Sequence, residues 1–180
     1  MKLLRTSVWI SAFVIVAASQ LLAQTTSPNT PPGWKTYVDR VHGFSFAYPA
    51  IYKRIRRPTP EVEDMNKAAA KGRWVGLRHQ RSDGRIDVIL LNDRFDANRF
   101  FDQHNTSAAS GPPSPIQEGD NTFYFCGGGS MGGQYPDAFF SNFKGRTMYF
   151  VFDGPYDYSN TPTDETKEIE SKMLASFRTF

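Results

Sequence analysis

The chain has 180 residues, 39% of them hydrophobic and 14% aromatic, with a formal net charge of +3. That length suits one domain with a sizeable core. A single cysteine excludes an internal disulfide, and three scattered histidines beside it argue against a zinc site.

Residues 1–23 read as a signal peptide. Lys2 and Arg5 form a basic start, Val8–Ala18 is apolar apart from Ser11, and Leu21-Leu22-Ala23 ends on a small residue. The apolar run is short for a membrane span, and an uncleaved anchor is the alternative. No cysteine follows it for lipid attachment, and nothing after Ala23 is apolar enough to span a bilayer. The expected location is secreted or periplasmic. Cleavage would leave Gln24–Phe180, with a net charge of +1 divided as +5 over Gln24–Ser110 and −4 over Gly111–Phe180. Residues 24–33 are a Thr/Ser/Pro-rich leader, expected to be flexible, and residues 34–180 form the single domain.

Trp34–Val38 is a short strand. After the turn Asp39–Gly43, Phe44, Phe46 and Tyr48 alternate with small residues, which predicts a second strand stopped by Pro49. Lys53-Arg54-Ile55-Arg56-Arg57 is the densest positive run, and it reads as a solvated loop. Glu61–Lys71 reads as a short helix ended by Gly72, with Glu61, Glu63 and Asp64 available to neutralise that run. Trp74–Gln80 and Arg85–Leu91 are strands joined by Ser82-Asp83-Gly84. Ile86, Val88 and Leu90 face one way and Ile89 and Leu91 the other, so the second strand is internal.

Asp96–His104 is a helix with Ala97 and Phe101 four apart and Phe100 beside them. Asn105–Gly119 is a Ser/Pro/Gly loop, and Asn121–Cys126 is a strand entering the glycine tract Gly127–Gly133. Asp137–Phe143 and Arg146–Phe152 are apolar on both faces and are joined by a tight turn at Lys144-Gly145. This hairpin is the expected centre of the fold. A closing helix begins near Pro162, capped by Thr161 or Thr163, with Ile169, Met173 and Phe177 as its core stripe and Leu174 at the edge.

Three stretches carry a resemblance: Trp34-x-x-Tyr37, then Gly43-Phe44-Ser45-Phe46-x-Tyr48-Pro49, and the ending Met173-Leu174-x-Ser176-Phe177. Together they resemble the PsbP-like superfamily over Trp34–Phe180. Its members include the extrinsic lumenal protein PsbP of photosystem II, a nuclear-import factor that binds the GTPase Ran, and secreted bacterial proteins of unassigned role. The resemblance implies an α+β fold, a central antiparallel sheet flanked by helices in an α/β/α sandwich. It implies no catalytic residues, because the superfamily shares none.

The expectation for function is an exported, non-enzymatic domain that binds or assists another macromolecule in the envelope or extracellular space, such as an acidic protein or an anionic surface. Lys53, Arg54, Arg56 and Arg57 are the tentative partner-binding residues. A basic run without periodic aromatics is a poor nucleic-acid site, so no nucleic acid is expected. No catalytic residue, cofactor or metal is assigned. The rival class is a serine hydrolase, because Gly128-Gly129-Ser130-Met131-Gly132 fits G-x-S-x-G. Against it, Gln134-Tyr135-Pro136 is a poor helix start, and His42, His79 and His104 all precede Ser130. Asp153 to Asp157 lacks the alternating oxygen donors of a calcium loop. Cys126 ends an aromatic strand, which suits a small buried residue better than a reactive thiol.

Overall fold

The computed structural model describes residues 30–56, 58, 73–104, 113–126, 136–154 and 163–180. The expected signal peptide, the helix over Glu61–Lys71, Arg57 and the glycine tract with Ser130 lie outside these residues. The described elements are β1 (Trp34–Asp39), β2 (Phe44–Pro49), β3 (Tyr52–Ile55), β4 (Arg73–His79), β5 (Arg85–Arg94), α1 (Ala97–His104), β6 (Pro115–Glu118), β7 (Asn121–Phe125), β8 (Asp137–Phe143), β9 (Arg146–Asp153), α2 (Asp164–Ala175) and β10 (Arg178–Thr179).

Seven strands form one antiparallel sheet in the order β3-β4-β5-β9-β8-β7-β6, and β1-β2-β10 form a smaller one. The β8–β9 hairpin lies at the middle of the large sheet, as its two apolar faces predict. Its turn has positive φ at both central residues, 51° at Lys144 and 82° at Gly145. Positive φ at both positions matches the right-handed twist of the strands it joins. Asn142 Oδ1 accepts from Gly145 N at 2.8 Å and relieves some of the cost of a lysine in that conformation.

Alternation along the strands sends Val88, Met148, Phe150 and Phe152 to one core, and Ile89, Leu91, Phe140 and Tyr149 to the other. The first face is covered by the small sheet and by α2. The Phe150 ring lies 6.2 Å from Phe46, 5.7 Å from Phe123 and 5.6 Å from Phe177, mostly edge-on. The second face is covered by α1, whose Phe100 ring sits 4.6 Å from Phe140 and 5.0 Å from Tyr149. Each fully buried phenylalanine contributes about 1.5–3 kcal/mol by area alone, so these two layers dominate the stability.

Ser176 ties the small sheet to α2. Its hydroxyl accepts from Ala47 N at 2.8 Å and donates to Met173 O at 2.7 Å. Thr163 caps α2 and accepts from Thr166 N.

The α+β class holds, but the molecule is sheet-dominated. The expected helix-flanked sandwich is corrected in one respect: the first face is shared between α2 and a second β-sheet. Three strands were not expected. β3 lies where the sequence reads as a solvated loop, because its exposed cations hide the alternation. β6 falls inside the stretch read as the Asn105–Gly119 loop, of which residues 105–112 are outside the described ones. β10 has only two residues. In α1, Phe100 rather than the Ala97/Phe101 pair is the deeply buried residue, at 2% exposure.

Candidate binding edge

The basic run expected to meet a partner forms an edge of the large sheet. β3 pairs with β4 on one side, in the register Tyr52↔His79, Lys53↔Arg78, Arg54↔Leu77 and Ile55↔Gly76. Among the described residues no strand pairs with its other side. Period two then separates the basic side chains. Tyr52 and Arg54 belong to the first face, and Lys53 and Ile55 to the second.

Lys53, Arg54 and Arg56 are exposed. Arg54 also has a structural contact: its guanidinium carbon lies 5.4 Å from the centroid of the Tyr37 ring on β1. That stack clips the edge of the large sheet to the small one. Tyr37 and Arg73 in turn gather around Asp39, which is 4% exposed. Arg73 Nε lies 3.1 Å and His42 Nδ1 3.2 Å from the Asp39 carboxylate, while Val41 N and His42 N donate to it. Burial pushes the Asp39 carboxyl up. The bonds and charge from His42 and the charge of Arg73 outweigh burial and leave it below its ordinary range. This cluster is a joint between sheets.

The second face carries the less compensated charge. Lys53 stands directly opposite Arg78, and Arg78 directly opposite Arg85. Like charges at such positions repel. Arg85 is neutralised by Asp87, at 2.6 Å and 3.0 Å, and Asp87 also accepts from Trp74 Nε1 at 2.6 Å. Among the described residues Arg78 pairs only with Asp83, at 3.6 Å and exposed to solvent, where such a pair contributes little. Lys53 makes no ion pair among the described residues.

Beside these cations lies an open depression of about 530 Å³. Lys53, Ile55 and Arg78 supply one wall and the turn His79–Asp83, with Arg81, the other. Gly76 makes room here: a Cβ would collide with the Trp74 ring and with Ile55. His79 organises the turn, accepting at Nδ1 from Arg81 N at 3.2 Å and pairing with Ser82 Oγ at 2.7 Å. Its ring meets Tyr52 edge-on at 5.1 Å.

Arg78 and Arg81 were missed in the sequence. Neither belongs to a dense run, and only the strand register brings them beside Lys53. The register Lys53↔Arg78 becomes legible once β3 is recognised as a strand.

The other candidates come out as follows. Ser130 lies outside the described residues. Cys126 is buried, and burial pushes its thiol up to about 12, so it is a poor nucleophile at neutral pH. His42 and His79 lie in separate clusters. Among the described residues no three His, Cys, Asp or Glu side chains are grouped as metal ligands, and no helix is long and apolar enough to cross a membrane.

No family model matches the chain, and no curated protein does. Among solved structures it is similar to the solution structure of cyanobacterial PsbP (CyanoP) from Synechocystis sp. PCC 6803. The TM-score is 0.49 at 15% identity, over 86% of this chain and 96% of that one. A likeness at this level carries no argument about function.

Proposed function

We propose that this chain is an exported, non-enzymatic domain of PsbP-like type that binds an acidic macromolecule at the basic edge of its large sheet. Export rests on the charge-then-apolar layout of residues 1–23. The observation that carries the binding reading is Lys53 standing opposite Arg78 with no ion-pair partner among the described residues, at the rim of an open depression. An anionic group placed there relieves the repulsion and gains two charge-assisted hydrogen bonds. Lys53, Arg56, Arg78 and Arg81 are the binding cations. Arg54 contributes charge while holding Tyr37, and Arg57 completes the run in sequence.

The test is fluorescence anisotropy with a labelled polyglutamate, against polylysine as control. Binding to the acidic probe that weakens as salt rises supports the reading. Equal binding of both polymers, or none to the acidic one at low salt, overturns it. Esterase and peptidase activity that disappears in Ser130→Ala would overturn the non-enzymatic part.

A further inference from the structure

We infer that the edge of β3 takes an extended acidic peptide as an eighth strand of the large sheet. This rests on the basic-edge reading above and names the kind of partner it serves.

The backbone provides the argument. His79 N donates to Gly84 O at 2.8 Å across the β4–β5 hairpin. In an antiparallel ladder the direction of the N–H and C=O groups alternates at every residue. His79, Leu77 and Val75 therefore turn their backbone groups toward β5, and Arg78 and Gly76 turn theirs toward β3. Their partners Lys53 and Ile55 are spent on that pairing. Tyr52 and Arg54 then direct their N–H and C=O groups away from the sheet. These four groups form a short template for one more strand, the arrangement used in peptide recognition by strand addition.

The two edges of the large sheet differ. The β6 edge starts with Pro115, ends with Glu118 and is followed by Asp120, a proline and acidic surround that discourages pairing with an acidic strand. The β3 edge has no proline among its four residues. Lysine on an edge strand commonly serves to block pairing with other chains. At β3 the cations continue off the strand onto Arg78 and Arg81, around a depression that Ile55 also lines. Among the described residues, Lys53, Arg78 and Arg81 line the depression with Asp83 as its one acid, and Arg54 and Arg56 are exposed beside them in the chain. That surround repels basic strands and attracts acidic ones. An added strand would set acidic side chains beside Lys53 and Arg78 on one face and beside Arg54 on the other. A small apolar side chain would meet Ile55.

The probe is a fluorescein-labelled peptide of Glu-Glu-Val-Glu repeats, which sets acids on both faces of the strand and valines among the acids of one, compared with the same peptide N-methylated at every residue. The second keeps the charge and loses every backbone donor. Strand addition predicts binding of the first at low salt and at least about tenfold weaker binding of the second. It also predicts slowed hydrogen exchange at the amides of Tyr52 and Arg54 when the first peptide is added. On the protein side, Arg54→Pro should weaken binding well beyond Arg54→Ala, since it removes the outward N–H and leaves the β3–β4 pairing intact. Equal binding of both peptides, with those amides still exchanging, overturns strand addition while the basic-edge reading stands. No binding of either peptide at low salt overturns both.

Discussion

Glu170 of α2, only 6% exposed, and Asp137 at the head of β8 are two carboxyl groups close enough to shift each other's titration. Such a pair holds together only while one member is protonated. Burial pushes Glu170 up to about 8, with the charge and hydrogen bond of Asp137 adding to the shift and Lys167 opposing it. Burial raises Asp137 as well. The pair joins the closing helix to the central hairpin, in the same helix whose Thr166 side chain lies close over Gly154.

The sign of the pH dependence follows. A carboxyl raised above its unfolded value binds its proton more tightly in the folded state, so its contribution is full below the unfolded value, here about 4.5, and disappears as pH rises through about 8. The melting temperature should fall across that window, by a free energy on the order of a few kcal/mol. Glu170→Gln should flatten the curve, and a profile of melting temperature against pH for the two proteins decides it. An unchanged slope in the variant would contradict the assignment.

Phe150 anchors the core shared by both sheets and α2. It is fully buried against Phe46, Phe123 and Phe177. Phe150→Ala should cost about 3–5 kcal/mol in urea unfolding. A loss below about 1 kcal/mol would mean that the small sheet does not pack on this face.

Gly76→Ala should displace the Trp74 ring and break its bond to Asp87. The expected result is a changed tryptophan emission together with a loss of stability, because the new Cβ meets a packed ring. Unchanged emission would mean that Trp74 does not lie over the glycine.

Arg54 and Lys53 should separate in their effects on folding. Arg54→Ala removes the stack on Tyr37 and should cost about 0.5–1 kcal/mol, while Lys53→Ala relieves repulsion from Arg78 and should not lower the melting temperature. Equal effects would contradict the division of the run between the two faces.

Much of the fold was legible in the sequence. The two-faced strands β5, β8 and β9 announce themselves by apolar residues on both faces, and Lys144-Gly145 marks the turn between two of them. The assignment of Met148, Phe150 and Phe152 to one core and Tyr149 and Val151 to the other follows from period two alone. The small sheet's place over the first face was not legible, because Phe44 and Phe46 specify a buried face without specifying what covers it. Glu170 escaped notice as one more acid of a charged helix. Its spacing, three before Met173 and four before Leu174, puts it on the core stripe. The candidate site was half legible: composition finds Lys53, Arg54 and Arg56, whereas Arg78 and Arg81 reach them only through the β3–β4 register.

The central claim is that the exposed cations at the β3 edge, apart from Arg54 with its stack on Tyr37, form a binding surface and do not hold the fold together. The most direct measurement combines affinity for the acidic probe with thermal unfolding in a Lys53→Glu, Arg56→Glu, Arg81→Glu triple variant. The account predicts loss of binding at low salt with a nearly unchanged melting temperature, since all three side chains are exposed or at the rim of the depression. Binding retained at the strength of the parent protein would contradict it.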